Sequence, residues 1–107
     1  MAVSSEFRDY LEEHLSGLGP VRFKRMFGGA GLYLHDVIFG LIIEDVLYLK
    51  TDAATRPLFE AAGSRPFEYE KKSGKVVGVR YWSLPETALD DPDEAVEWAR
   101  RALAARY

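Results

Sequence analysis

Three apolar runs, residues 32–34, 37–43 and 46–49, follow one another with only His35-Asp36 and Glu44-Asp45 between them. A two-residue break can reverse a strand, but it cannot supply the dozen or more residues that a parallel crossover needs. The runs are therefore expected to lie antiparallel, as a meander. An earlier strand joins them: Val21 and Phe23 alternate with Arg22 and Lys24, the period of a half-buried strand. Gly28-Gly29-Ala30-Gly31 interrupts the pattern and reads as a turn or bulge. In the 37–43 run, Val37, Phe39, Leu41 and Ile43 fall on one face and Ile38 and Ile42 on the other. Apolar residues on both faces predict a central strand covered on both sides.

Helical patterns flank the meander. Phe7, Tyr10, Leu11, His14, Leu15 and Leu18 recur at spacings of three and four, with Ser4 or Ser5 available as cap and Gly17, Gly19 and Pro20 as terminators. A second helix is expected within 52–62, stopping at Gly63, with Pro57 in its first turn and Thr55 as its cap. Residues 66–70 and 75–82 form a hairpin around Ser73-Gly74. Asp91-Pro92-Asp93-Glu94 starts the last helix, with Asp91 as cap, Pro92 in the first turn and Glu94 reaching back in a capping box. Its buried stripe is Ala95, Trp98, Ala99, Ala102 and Leu103, and Trp82 and Trp98 are expected in the core. The expected fold is α+β, an antiparallel sheet (meander plus hairpin) covered by about three helices in the order α-β-β-β-β-α-β-β-α. With 107 residues, 48% of them hydrophobic, and no linker or repeat, residues 1–107 are expected to form one domain.

The chain offers little to catalysis. Without cysteine there is no disulfide, thiolate site or cysteine nucleophile. His14 and His35 stand alone, far from the three or four ligands of a zinc site. The glycine segment lacks a following Lys-Ser/Thr and runs into a strand, so it does not make a phosphate loop. There is no Gly-x-Ser-x-Gly or Ser-x-x-Lys, and the acids at 90–94 are accounted for by the helix start. Neither catalytic nor metal-binding residues nor a cofactor are expected. No apolar run reaches the roughly 20 residues of a membrane span, and the N-terminus lacks a signal-peptide pattern. The expected location is the cytoplasm.

Charge is unevenly spread over a net −3: residues 1–20 and 83–107 each carry −3, whereas 65–82 carry +3. Arg22, Lys24 and Arg25, and Lys71, Lys72, Lys75 and Arg80, interleave with aromatics. Lys71, Lys72 and Lys75 are the candidate contacts if the chain binds nucleic acid directly. The two acidic ends favour weak duplex binding instead, no better than about 10⁻⁴–10⁻⁶ M at physiological salt. Arg25 falls on the apolar phase of its strand. We expect its guanidinium to be partly buried and hydrogen-bonded to a carboxylate or backbone carbonyls. The competing reading has it lining a pocket with Tyr33 or Tyr48.

The segment Arg25-Met26-Phe27-Gly28-Gly29-Ala30-Gly31-Leu32-Tyr33 resembles the hallmark of the TfoX/Sxy N-terminal domain family. The likeness continues through Leu47-Tyr48-Leu49-Lys50-Thr51-Asp52, Arg56-Pro57-Leu58-Phe59-Glu60-Ala61-Ala62-Gly63, Pro66-Phe67-Glu68-Tyr69, Tyr81-Trp82-Ser83-Leu84-Pro85 and Trp98-Ala99. The resemblance implies a bacterial α+β domain linked to competence and transcription regulation, in a family whose best-known members carry a second domain and assist the cyclic-AMP receptor protein. It brings no catalytic residues. The chain is expected to be a stand-alone form that binds a protein partner, either transcription machinery or a regulator, with Arg25, Phe27, Gly28, Gly29, Tyr33 and Tyr48 as candidate partner- or pocket-lining residues. Direct nucleic-acid binding is the alternative, a homodimer is compatible with the pattern, and a small-ligand carrier or enzyme ranks last. Asp36-Val37 and Asp45-Val46 stand where the family pattern usually has Asp-Gly. Valine resists positive φ, so neither turn is expected to be type I′ with its second residue at Val37 or Val46.

Overall fold

The computed structural model describes residues 4–26, 29–71 and 74–105, without the side chains of 26, 68–71 and 74–79. Six strands form one antiparallel sheet: β1 (Val21–Met26), β2 (Gly29–Leu34), β3 (Val37–Ile43), β4 (Val46–Lys50), β5 (Pro66–Lys71) and β6 (Gly74–Ser83). Their order across the sheet is β1-β2-β3-β4-β6-β5. The helices are α1 (Ser5–His14), α2 (Arg56–Ala61) and α3 (Pro92–Ala104), with a short 3-10 helix at Glu86–Leu89. This is the expected α+β architecture and element order.

Local chemistry sets the helix ends. Ser4 Oγ accepts from Phe7 N at 3.1 Å, capping α1. The helix stops at His14 rather than near Leu18, and Gly19, at φ +134, turns the chain into β1. Thr55 occupies the cap position of α2, yet its side chain does not cap the helix. Asp52 holds that turn together, its carboxylate accepting from Ala54 N and Thr55 N at 3.1 and 2.9 Å. Asp91 caps α3 through Glu94 N as expected. Glu94 does not complete a capping box: its Oε2 accepts from Thr87 Oγ1 (2.7 Å) and Trp98 Nε1 (3.0 Å), tying the 3-10 helix to α3.

Both turns of the meander reverse at the expected residues. His35 and Asp36 have φ of 49 and 68, and Glu44 and Asp45 have φ of 51 and 59. Leu34 pairs with Val37 and Ile43 with Val46, so each loop has two residues, both in the left-handed region as a type I′ turn requires. The valines stay in extended strand, and the strained positions fall one residue earlier.

The glycine segment differs from expectation. Gly29, Ala30 and Gly31 lie inside β2, paired with Met26, Arg25 and Lys24; Phe27 and Gly28 lie outside the described residues. A Cβ on Gly29 would sit 2.0 Å from the Ile42 carbonyl oxygen, so glycine is required there for close approach of two strands. The bulge lies further along. Pairing steps from Leu32↔Gly40 to Tyr33↔Ile38 and leaves Phe39 as an extra residue in β3.

That bulge redistributes β3 between the two faces of the sheet. Phe39 and Ile42 are both fully buried, with Leu32, Leu47 and Leu49, in a cluster that also takes Leu11 from α1, Phe59 from α2 and Trp98 and Ala99 from α3. Ring centroids of Phe59 and Trp98 are 4.6 Å apart, and Trp82 is also buried. All three helices thus share one face. The expectation of a central strand covered on both sides is overturned: Ile38, Leu41 and Ile43 remain partly accessible on the other face, against which no described helix packs.

Candidate functional site: the helix-free sheet face

Register assigns the side chains of this face. Leu32, Leu47 and Leu49 point into the helix layer, so their strand neighbours Tyr33, Tyr48 and Lys50 point away from it. Direct pairing adds Arg22 opposite Tyr33, Lys24 opposite Gly31, Leu41 opposite Tyr48, and Tyr81 opposite Lys50. The Phe67 ring lies 5.1 Å from that of Tyr48, extending the face towards β5.

Two bands result. One is apolar: Leu41, Ile43, Tyr48 and Phe67, all partly buried. The other runs across the sheet from β1 to β6 and carries cations and phenols around one aliphatic residue: Arg22, Tyr33, Ile38, Lys50 and Tyr81, with Lys24 on the β1 edge. Because Phe39 turns into the core, Ile38, paired with Tyr33, is the β3 side chain on this face between Tyr33 and Lys50. Tyr81 feels Tyr33 across β3. Burial first, and then the Tyr33 phenol, raise the pKa of Tyr81, against a smaller opposing pull from Arg80. Burial and Glu44 likewise push Tyr48 up.

Arg22 reaches Asp36 at 3.4 Å, but both side chains are largely exposed, 75% and 90%, so the pair adds little stability. Neither Lys24 nor Lys50 has an ion-pair partner among the described residues. A cleft of about 350 Å³, lined by Arg22, Phe23, Lys24, Tyr33 and Asp36, opens at the β1 end.

The expected site residues divide accordingly. Tyr33 and Tyr48 belong to the helix-free face. Arg25 does not: it lies on the helix side of β1, in phase with Val21 and Phe23. The structural reading of Arg25 is overturned, because it is exposed and makes no hydrogen bond to a described residue. β1 is an edge strand, and the helix layer stops short of Arg25: the last cover is Arg8, 5.2 Å from the Phe23 ring. Phe27, Gly28 and Lys72 lie outside the described residues, as do the side chains of Lys71 and Lys75. Gly29 is placed in the sheet for close packing. Lys50 and Tyr81 were not singled out from sequence as parts of this face. Their signal is the phase of Trp82, whose burial sends Tyr81 the other way, but pairing of β4 with β6 across 30 residues has no local mark.

His14 is placed structurally. Its Nε2 donates to the Ala88 carbonyl at 2.7 Å, and its ring stacks on Tyr10 at 4.8 Å. Tyr10 in turn donates to the Leu89 carbonyl. Among the described residues no group of three or more His, Cys, Asp or Glu could hold a metal ion, and no helix is long and apolar enough to cross a membrane.

The chain is thus a two-layer α+β arrangement, with the helices on one face of the sheet and partly accessible aromatic side chains on the other. Residues 13–106 match the TfoX N-terminal domain, and the chain belongs to that family. It is also 28% identical over 86 residues to the DNA transformation protein TfoX1 of Aliivibrio fischeri, an alignment covering 80% of this chain and 41% of that protein.

Proposed function

We propose that this chain is a non-enzymatic regulatory module of the cytoplasm, linked to competence and transcription control, and that it docks onto a protein through the helix-free face. The observation that carries this reading is the apolar band. Leu41, Ile43, Tyr48 and Phe67 adjoin by register and ring contact and keep part of their surface in water. Protein docking sites have such an aromatic and aliphatic centre within a polar rim. The rim here carries Lys24 and Lys50, which suits a partner with acidic groups around an apolar centre. Family membership, and a relative named for DNA transformation, support the regulatory setting.

The test compares captured proteins from native lysate for the tagged chain, for Leu41→Glu, and for Leu58→Glu as a control on α2, where Leu58 is 47% exposed. The expected result is one partner held by the parent and the α2 variant and lost by the sheet variant. Loss with Leu58→Glu alone would move the docking surface to the helix layer.

A further inference from the structure

We propose that the second band of the helix-free face binds single-stranded nucleic acid, with bases stacked on Tyr33 and Tyr81 and phosphates held by Arg22, Lys24 and Lys50. This goes beyond the protein-docking reading and uses a different part of the face. The band crosses β1, β2, β3, β4 and β6, four inter-strand spacings of about 4.8 Å, or roughly 19 Å. Over that span it offers two phenol rings and three cations around Ile38, and among the described side chains no acidic strand residue projects from it. The turn residue Asp36 is the acid facing it, and it lies against Arg22.

Three observations favour a single strand. Stacking needs aromatic faces that are accessible on a flat support, and a sheet without a helix over it supplies that. Tyr33 and Tyr81 lie on opposite sides of β3, with Ile38 between them, so the two rings are not in contact with each other as Tyr48 and Phe67 are. A duplex keeps its bases stacked inside, and a flat band with three cations reaches few of its phosphates at once. The acidic helices lie on the opposite face, where they leave the band's positive charge uncancelled at close range.

The experiment is fluorescence anisotropy of the whole chain with labelled dT20, rU20 and a 20-base-pair duplex, from 50 to 200 mM salt. Micromolar binding of a single strand is expected, at least tenfold tighter than the duplex; the two oligonucleotides separate DNA from RNA. Three phosphate contacts predict a log–log salt slope of about −2, a loss of roughly 20-fold over that range. Tyr81→Ala and Lys50→Glu are each expected to weaken binding at least fivefold, while Tyr81→Phe, which keeps the ring and controls for folding, binds like the parent. Equal duplex binding, no single-strand binding at 50 mM salt, or an unaffected Lys50→Glu would each overturn the proposal. Leu41→Glu keeps the two readings apart. Oligonucleotide binding lost in the band variants but retained in Leu41→Glu supports this site, whereas protein capture without any oligonucleotide binding leaves only the docking reading standing.

Discussion

On one face of the sheet Leu32, Phe39, Ile42 and Leu49 are completely buried; on the other Tyr33, Leu41, Ile43 and Tyr48 keep part of their surface in water. Both sets are apolar enough to form a core. The difference comes from the helices, since α1, α2 and α3 all pack on the first face and leave the second without cover. Tyrosine suits the uncovered side, because its ring packs on the sheet while its hydroxyl remains hydrated. An apolar residue in a strand therefore does not by itself announce core.

The largest test of this contrast is a pair of substitutions in β3. Phe39→Ala should cost about 3–5 kcal/mol, the loss of a fully buried aromatic plus its cavity, whereas Leu41→Ser should cost about 1 kcal/mol. Urea melts of both variants read the difference; equal losses would mean that the second face is as closed as the first. Gly29 sharpens the comparison. It belongs to the helix-free face, yet Gly29→Ala should cost about 1–3 kcal/mol, because the obstacle is the β3 backbone and not a helix.

Smaller effects lie at the margins. Asp36→Gly should stabilise by about 0.5–1 kcal/mol, removing a non-glycine residue at φ 68 and sacrificing only an exposed ion pair. Asp45→Gly should gain less, since the Asp45 carboxylate accepts from Ser4 N at 3.0 Å and ties the start of α1 to the second turn. Arg25→Met, at an exposed edge, should change stability by no more than about 0.5 kcal/mol. The smallest effect is alkaline. Tyr81 and Tyr48 have folded pKa values above the ordinary 10.0, so their contribution is intact below pH 10 and is lost as pH rises through the folded values. Melting temperature should fall above pH 10, and less steeply in Tyr81→Phe.

Much of the fold was legible because short-range signals carried it. Two-residue breaks at His35-Asp36 and Glu44-Asp45 force antiparallel pairing, and Ser4 and Asp91 cap where their hydroxyl and carboxylate can reach free amides. The bulge at Phe39 was not legible: counting by twos placed Phe39 with Leu41, and only the pairing of β3 with β2 shows an extra residue. Arg25 misled for the same reason, since alternation gives the side of the sheet but not where the helix layer ends. Of the site, Tyr33 and Tyr48 are legible as possible pocket neighbours of Arg25, while Lys50 and Tyr81 need the β4–β6 pairing to bring them together.

The separation of charge between the layers affects how this molecule meets others. On the helix side, Glu6, Asp9, Glu12 and Glu13 outweigh Arg8 on α1, and Asp93, Glu94 and Glu97 outweigh Arg100 and Arg101 on α3, opposite Arg22, Lys24 and Lys50 on the sheet. A body with net charge −3 should drift away from a polyanion, but a dipole across its two layers adds a torque that operates before contact. An approaching anionic surface turns the domain until the sheet leads and the helices trail. Encounters then begin in the orientation that exposes the uncovered face, and added salt, by shortening the reach of that torque to about 8 Å at 0.15 M, makes them more random.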